Sequence, residues 1–278
     1  MTVSKSQARL MIVATAILWS TGGAAIKLST LDAPAIAAGR AFFAAIVLFA
    51  LLPEARLRPT RTIVWTSIAY ALTCSLFVIA NRLTTAGHAI FIQNTAPVWV
   101  LLLGPRLLGE KPTKAEIYSV PVGLIGCGLV FADHLGEGRL AGDLCALAAS
   151  FSYAVLIMLY KKTTVAESMS ATVLGNGIIV AVMLPIAITF GGPPVAIDWA
   201  VLIYLGVLQQ AVAATLFVRG IRHVSALEAS LLTLLEPLFS PIWAFLMIGE
   251  TMGPLAIGGA LLIAVSTVFR TVTSARSD

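Results

Sequence analysis

The sequence predicts an all-α integral membrane protein whose ten transmembrane helices form two inverted-topology repeats of five helices. Three observations carry this prediction: a 278-residue chain that is 59% hydrophobic and only 11% charged, long uninterrupted apolar stretches, and an internal repeat. A soluble domain of this length needs far more charge on its surface. In a bilayer only helices or closed barrels satisfy every backbone polar group, and long apolar runs favour helices over alternating barrel strands.

Ten stretches are long and apolar enough to cross a bilayer, for which a helix needs about 20 residues. They use most of the chain, so we expect no separate catalytic, nucleotide-binding or sensor domain. The first stretch follows Lys5 and Arg9 and has no convincing cleavage site, which favours a retained helix over a signal peptide. The predicted spans, numbered 1 to 10, are 9–29, 33–52, 62–81, 85–108, 114–132, 141–160, 169–190, 198–218, 224–248 and 252–270.

The distribution of basic residues tests the count of ten spans. With ten helices both termini lie on one side, and most of the 18 lysines and arginines fall in the tails and loops of that side. The opposite loops hold only Lys27, Arg82 and Arg139. By the positive-inside rule we expect both termini in the cytoplasm, in a multi-pass plasma-membrane protein of the bacterial inner-membrane type. The basic residues on the terminal side are Lys5, Arg9, Arg56, Arg58, Arg61, Arg106, Lys111, Lys114, Lys161, Lys162, Arg219, Arg222, Arg270 and Arg276.

The two halves of the chain resemble each other. The letters SLFV at 75–78 match TLFV at 215–218, and the same offset of 140 positions aligns the Gly-Glu pairs at 109–110 and 249–250. Weaker matches align spans 1 and 2 with spans 6 and 7, at offsets of 134 and 136. Because each repeat holds an odd number of helices, the second repeat enters the membrane from the opposite side, as in many secondary transporters. The predicted repeats are residues 1–136 and 137–278.

Several short motifs resemble the drug/metabolite transporter superfamily, in its EamA-type branch. The resemblance implies a ten-helix transporter, commonly an exporter of amino acids or other metabolites, with a central cavity lined by spans including 3, 4, 8 and 9. The second repeat departs from the pattern, with Phe151 and Tyr153 where a tryptophan is frequent. The residues that carry the resemblance are Trp19-Ser20, 96–99 (Ala-Pro-Val-Trp), 108–110 (Leu-Gly-Glu), 236–239 (Glu-Pro-Leu-Phe) and 248–250 (Ile-Gly-Glu).

Two carboxylates in span 9 are the first candidates for a transport site. An ionisable group inside a span costs roughly 2.5–3.5 kcal/mol on insertion scales, so it usually faces a cavity or another charge. Glu228 and Glu236 are eight residues apart, about 12 Å along a helix and about 80° around it. Glu236, at mid-span, is predicted to be a cation, amine or proton site, with a structural carboxylate as the alternative. Glu228 lies nearer the cytoplasmic end and has the same two interpretations.

Two basic side chains are the next candidates. Arg40 lies inside span 2, where it either neutralises a buried carboxylate or holds the carboxylate of a substrate. His88 occupies the position in span 4 that Glu228 occupies in span 9. Histidine titrates near neutral pH, so His88 could gate an outer vestibule, although a structural histidine near the interface is the favoured interpretation.

Uncharged polar and aromatic side chains near mid-span either bind substrate or join neighbouring helices by hydrogen bonds. Gln210 is the repeat equivalent of Tyr70. Because successive helical residues point in different directions, we expect only one of Gln209 and Gln210 in the cavity. The candidates of this group are Trp19, Tyr70, Gln93, Asn94, Asn176, Gln209 and Gln210.

Prolines and glycines mark the equivalent spans 4 and 9. Pro97 and Pro237 lie near mid-span, where each removes a backbone donor and can free a carbonyl for water or ligand; a packed kink is the alternative. Glu110 and Glu250 each follow a glycine at a helix end, and we expect them to cap the N-termini of spans 5 and 10. The glycines at 123, 126, 128, 258 and 259 indicate close packing of spans 5 and 10.

These observations predict a secondary transporter that works by alternating access. We expect it to export a small metabolite, such as an amino acid or related compound. Proton-coupled uptake is the alternative, with protons as a candidate coupling ion. The chain lacks a P-loop, H-E-x-x-H, G-x-S-x-G and a metal-binding Cys/His cluster, so an intramembrane enzyme or a membrane sensor subunit is a remote alternative. We expect a monomer or weak homodimer whose partners are a small-molecule substrate and the lipid bilayer, with no cofactor, metal or nucleic acid.

Overall fold

A computed structural model describes residues 3–84, 86–130, 132, 140–248 and 254–275. The described residues are all-helical: 87% of them lie in helices and none in a strand. The α-helices, in chain order, are α1 (Lys5–Ser20), α2 (Gly22–Leu28), α3 (Ala33–Leu51), α4 (Arg61–Leu83), α5 (Ala86–Gln93), α6 (Ala96–Leu107), α7 (Lys114–Val130), α8 (Leu140–Lys162), α9 (Val165–Phe190), α10 (Ala196–Tyr204), α11 (Ala213–Gly220), α12 (Ala226–Thr233), α13 (Leu235–Ile248) and α14 (Pro254–Ala275).

Seven helical stretches in the described residues are long and apolar enough to cross a membrane. They coincide with predicted spans 1, 2, 3, 6, 7, 8 and 9. Predicted spans 4, 5 and 10 are also helical, but α5 and α6 are separated by a break and α7 has only 17 residues. The surface of the bundle carries large apolar side chains such as Phe190, which is 81% exposed. Such a surface suits lipid rather than water. The seven stretches are Lys5–Leu28, Ala33–Leu51, Arg61–Leu83, Leu140–Lys162, Val165–Phe190, Ala196–His223 and Ala226–Met247.

Four of the predicted spans are interrupted near their middles. The α1–α2 break lies at Thr21, the α5–α6 break at Asn94 and Thr95, and the α12–α13 break at Leu234. At the last two sites the chain makes tighter i→i−3 backbone bonds, from Thr95 N–H to Ile92 and from Leu234 N–H to Leu231. Between α10 and α11, residues Leu205–Val212 form a wider π-helix. At these interruptions tighter or wider backbone turns replace the regular α-helical ones inside the bundle.

Helices at corresponding places in the two halves of the chain pack in corresponding ways. Helix α3 packs on α9, and α7 packs on α14. Helix α8 packs on α4 and on α5 with α6, while α1 packs on α11 and on α12 with α13. This arrangement places α1, α3, α4, α8 and the α10–α11 segment around one central space, into which the breaks near Leu234 and Asn94 also project.

Candidate functional site

A cavity of about 80 Å³ lies in the central space. Most of the predicted candidates meet there, although they come from helices far apart in the sequence. The aromatic residues of this lining that the sequence analysis did not single out include Phe77 and Phe217, which are repeat equivalents within the matching SLFV and TLFV letters. That match was the signal that could have found them. The predicted candidates that line the cavity are Trp19, Arg40, Tyr70, Gln93, Asn94, Gln209, Gln210 and Glu236.

Arg40 brings a buried positive charge to the cavity. Its side chain projects from α3, is only 3% exposed as a residue, and donates one hydrogen bond, from Nη2 to the Cys74 carbonyl at 3.1 Å. No carboxylate in the described part of the chain lies within ion-pair distance of it. The structure therefore gives no support to the alternative that Arg40 neutralises a buried carboxylate. A buried guanidinium without a counter-ion is costly.

Glu236 brings a buried negative charge to the same cavity. It lies two residues after Leu234, at the start of α13, and is 9% exposed. The described residues offer its carboxylate neither a hydrogen bond nor an ion pair; the bond from Ser240 Oγ, at 2.8 Å, goes to the Glu236 main-chain carbonyl. The helix break therefore presents an acidic side chain to the cavity rather than to another helix.

The two charges occupy positions where the halves of the chain differ. At the offset of 136 positions, Arg40 corresponds to Asn176, and at the offset of 140, Glu236 corresponds to Ala96. Asn176 is fully buried and Ala96 is 1% exposed, so both neutral equivalents lie inside the bundle. At each of these aligned positions, therefore, one half of the chain buries a charged residue and the other half a neutral one.

A hydrogen-bonded triad closes one side of the cavity. Gln210 Nε2 donates to the Tyr70 hydroxyl and to Asn176 Oδ1, both at 2.8 Å. Asn176 Nδ2 donates to the Tyr70 hydroxyl at 3.3 Å and to the Thr172 carbonyl at 2.9 Å. Asn176 therefore orients two lining residues without lining the cavity itself. Gln210 Oε1 is buried without a hydrogen-bond partner.

The expectation that only one of Gln209 and Gln210 lines the cavity is wrong, because both do. They belong to the π-helix Leu205–Val212, in which each residue turns the chain by less than in an α-helix. Gln210 extends toward α4 and α9, whereas Gln209 extends toward α2: a Cβ built on Gly22 would lie 2.8 Å from Gln209 Nε2. Two successive side chains thus flank one cavity from different sides.

Several aromatic side chains of the cavity lining pack together into an aromatic wall. The Trp19 ring packs on Phe217 with centroids 5.3 Å apart and edge-on against Tyr153 at 5.8 Å. Tyr160 extends the wall at 6.4 Å from Phe217, and its hydroxyl shares a 2.6 Å hydrogen bond with Thr172. Trp19 and Tyr153 are repeat equivalents at the offset of 134, so the substitution of tyrosine for tryptophan in the second repeat keeps an aromatic ring at the cavity.

Glu228 lies outside the cavity. Its carboxylate, 1% exposed as a residue, forms a 2.7 Å ion pair with Arg9 Nε of α1. The same residue lies in the first turn of α12, whose N-cap is Ser225. A carboxylate in the first turn interacts favourably with the helix dipole, and the ion pair joins α1 to α12. The structure therefore supports the structural interpretation of Glu228.

The expected cap at Glu110 also differs from the structure. At the start of α7, the Thr113 hydroxyl accepts a 3.2 Å bond from the Glu116 N–H, and the Glu116 carboxylate accepts a 2.8 Å bond from the Thr113 N–H. Glu110 instead accepts a 2.7 Å hydrogen bond from the N–H of Ala226 and lies 3.3 Å from Lys161 Nζ. It satisfies the start of α12, a helix distant in sequence, because the loop before α7 folds back over that end.

Four candidates remain, and the structure places the two prolines among them. Pro97 lies at the beginning of α6, directly after the break at Asn94 and Thr95, and Pro237 lies in the first turn of α13. Each proline thus starts a helix segment rather than kinking a continuous helix. The side chain of His88 and the whole of Glu250 lie outside the described residues.

An all-helical protein with seven apolar span candidates and a polar, charged cavity at its centre has the architecture of a membrane transporter. The sequence profile of the EamA-like transporter family matches residues 7–132 and 140–272, one match in each half. The chain therefore belongs to the EamA-like transporter family. The members of that family are transporters and not enzymes, so the chain is a multi-pass membrane protein with a small-molecule substrate.

Related proteins cover large parts of the chain. An uncharacterized transporter of Archaeoglobus fulgidus is 28% identical over 255 residues, which are 91% of this chain and 92% of that protein. A probable terminal-alkyne amino-acid exporter of Streptantibioticus cattleyicolor is 27% identical, covering 64% of this chain and 62% of the relative. An S-adenosylmethionine uptake transporter of Rickettsia prowazekii is 26% identical, covering 65% and 61%.

One solved crystal structure has the same fold. It superposes on this chain with a TM-score of 0.82, covering 99% of this chain and 100% of the other. The sequences are only 18% identical, so the likeness concerns the course of the backbone and not the chemistry of the cavity.

Proposed function

We propose that the protein is a secondary transporter that exports a small metabolite, such as an amino acid or related compound, by alternating access through the central cavity. The observation that carries this proposal is the presence in one cavity of two buried charges, Arg40 and Glu236, that no described residue of the chain neutralises by contact. Buried charges of this kind in a membrane protein mark substrate or ion pathways. An amino acid carries both charges that such a cavity would complement.

The architecture that we propose is ten transmembrane helices in two inverted repeats, residues 1–136 and 137–278. A two-fold relation between repeats turns every contact into a second, equivalent contact. At the offset of 140, the pair Ser119 and Ser266 becomes the pair Gly259 and Gly126. The serines bond each other's backbone carbonyls, at 3.4 and 2.8 Å, and the glycines also lie against each other.

The centre of the cavity supports the same relation. Tyr70 and Gln210 are equivalent positions and bond each other directly, as expected for residues close to a two-fold axis. Two further equivalent residues, Arg82 and Arg222, each donate to a backbone carbonyl near the end of the first helical span of their own half: Arg82 to Ser29 at 3.2 Å and Arg222 to Lys161 at 3.4 Å. Because each half contributes five spans, the axis lies in the membrane plane.

We propose that both termini are cytoplasmic. The support is the concentration of lysines and arginines in the tails and loops of one side, which the positive-inside rule assigns to the cytoplasm. With this orientation the Arg9–Glu228 pair and the contacts of Glu110 lie on the cytoplasmic side, at the start of α12. They would have to separate whenever the cavity opens inward.

The second candidate function is proton-coupled import. One relative is named as an uptake transporter, and an acidic residue open to a cavity can carry a proton between the two faces of a membrane. In this version Glu236 would be protonated on one side and would release its proton on the other, with the substrate moving in the same direction.

A flux assay with the purified protein tests the proposal. Liposomes that contain only this protein and are loaded with radiolabelled amino acids should lose one or more of them faster than protein-free liposomes do. An imposed pH gradient separates the two candidates, because only proton-coupled import should accumulate solute against its gradient when the outside is acidic. Absence of protein-dependent flux for amino acids, amines, sugars and nucleosides would contradict transport of a small metabolite.

A further inference from the structure

The guanidinium of Arg40 is a receptor with unused donors. A guanidinium has five N–H donors in a planar fork that matches a carboxylate, and Arg40 uses one nitrogen, Nη2, for the Cys74 carbonyl. The other nitrogens of Arg40 are not fully buried in the protein. They are therefore open to the cavity that Arg40 lines. Water alone is a poor replacement for a counter-ion in so small a space.

Glu236 is the complementary receptor in the same cavity. Its carboxylate can accept several hydrogen bonds, and no described side chain donates one. The two charges are not within the 4.0 Å that would make them an ion pair, although both line the same cavity. One cavity therefore holds a cationic and an anionic side chain that do not neutralise each other by contact.

From this geometry we propose that the cavity binds a small zwitterionic amino carboxylate, with Arg40 holding its carboxylate and Glu236 holding its ammonium group. This assignment rests on the proposed transport function and names the class of substrate. Each charge of such a ligand meets a buried opposite charge, and the neutral whole adds no net charge to the bilayer interior. A ligand with one charge would leave either Arg40 or Glu236 without a partner.

The other walls set the size of the ligand. The cavity of about 80 Å³ is far below the roughly 300–1,000 Å³ of pockets that enclose drug-sized molecules, which favours an amino acid over a nucleoside-sized ligand. The rings of Trp19 and Phe217 offer apolar contact to a side chain, and the Gln209 amide offers polar contact nearby.

The asymmetry between the repeats supports this assignment independently of the burial. Of each equivalent pair, only one member is charged: Arg40 but not Asn176, and Glu236 but not Ala96. A symmetric cavity would present like charges in pairs and could not orient a ligand. Because each charge occurs in only one half of the chain, the cavity has one positive and one negative group, as a ligand with two different ends requires.

The test compares binding of three matched ligands by thermal stabilisation of the purified protein. Neutral L-amino acids are screened first, and the best of them is compared with its decarboxylated amine and its deaminated acid; for L-valine these are isobutylamine and 3-methylbutanoate. The amino acid should bind at least about tenfold more tightly than either analogue, because each analogue leaves one buried charge unpaired.

Variants then assign the two ends. Arg40→Gln should bind the amino acid at least about tenfold more weakly and should keep its affinity for the amine. Glu236→Gln should also bind the amino acid at least about tenfold more weakly but should keep its affinity for the deaminated acid. Where Arg40→Gln fails to fold, Arg40→Lys keeps the charge, loses the fork, and should weaken only ligands that bear a carboxylate. The matched controls are Arg219→Gln and Glu54→Gln, which break a partly exposed pair of 3.0 Å away from the cavity and should leave affinity unchanged.

Two outcomes would overturn the assignment. Wild-type affinity for the amino acid in both Arg40→Gln and Glu236→Gln would show that neither charge holds it. Protein-dependent flux of another solute class, with no amino acid bound, would refute the zwitterion site while leaving transport intact. Absence of both binding and flux would instead refute the proposed function itself.

Discussion

Glu236→Gln is expected to slow amino-acid flux at least about tenfold, equivalent to about 1.4 kcal/mol of lost substrate stabilisation, while the protein still folds. Glutamine keeps the size of the side chain and removes its charge. The carboxylate bonds no described side chain, so its removal breaks no internal contact seen in the structure. Removing an unpaired buried charge should raise rather than lower the thermal stability of the protein.

The measurement is initial flux per reconstituted protein, together with yield and melting temperature in detergent. Glu54→Gln serves as the matched control, because Glu54 makes only a partly exposed pair with Arg219, and pairs of that kind contribute about 0–1 kcal/mol. The control should transport normally. A Glu236→Gln protein with wild-type flux across about pH 5 to 8, the range in which a carrier proton would titrate, would make Glu236 a structural residue.

Gly259→Ala is expected to have the largest effect on stability. A Cβ at Gly259 would overlap the Gly126 carbonyl oxygen and would lie 2.6 Å from the backbone nitrogen of Val130. These are main-chain atoms of α7, so they cannot rotate away, and α14 would have to move off its partner helix. Overpacking of this type costs about 1–3 kcal/mol and at times more.

The neighbouring Gly258 supplies the control. A Cβ built there meets nothing within 4 Å. Alanine also has the higher helix propensity, so Gly258→Ala should be as stable as the wild type or slightly more stable. Thermal unfolding of the two purified variants compares them directly. Equal melting temperatures would contradict the close packing of α7 on α14.

Much of the fold followed from the sequence because the membrane imposes strong constraints. Low charge and long apolar runs predicted an all-helical membrane protein, and the family match confirms the predicted resemblance. A charge inside a span was the sequence signal for Arg40 and Glu236, and both side chains line the cavity. Polar residues in an apolar stretch are conspicuous, and their burial cost restricts where they can lie.

Other features depend on geometry that a linear pattern does not contain. The joint lining by Gln209 and Gln210 required a π-helix, which no residue type specifies. Glu110 found its partner in α12 because a loop folds back, and sequence distance gives no sign of that contact. Asp198, given no role in the sequence analysis, is fully buried and accepts hydrogen bonds from Ser29 and Thr30 at 2.7 to 2.8 Å. Its position at the predicted beginning of a span resembled an ordinary exposed helix start.

Sided labelling of Cys74 tests alternating access through the cavity most directly. Cys74 lines the cavity, and replacing Cys127 and Cys145 by alanine leaves it as the only thiol of the chain. A small membrane-impermeant thiol reagent is applied separately to right-side-out and inside-out vesicles. The account predicts that Cys74 reacts from both sides and that a bound amino acid slows both reactions. Reaction from one side only, or from neither side of a folded and reconstituted protein, would contradict it.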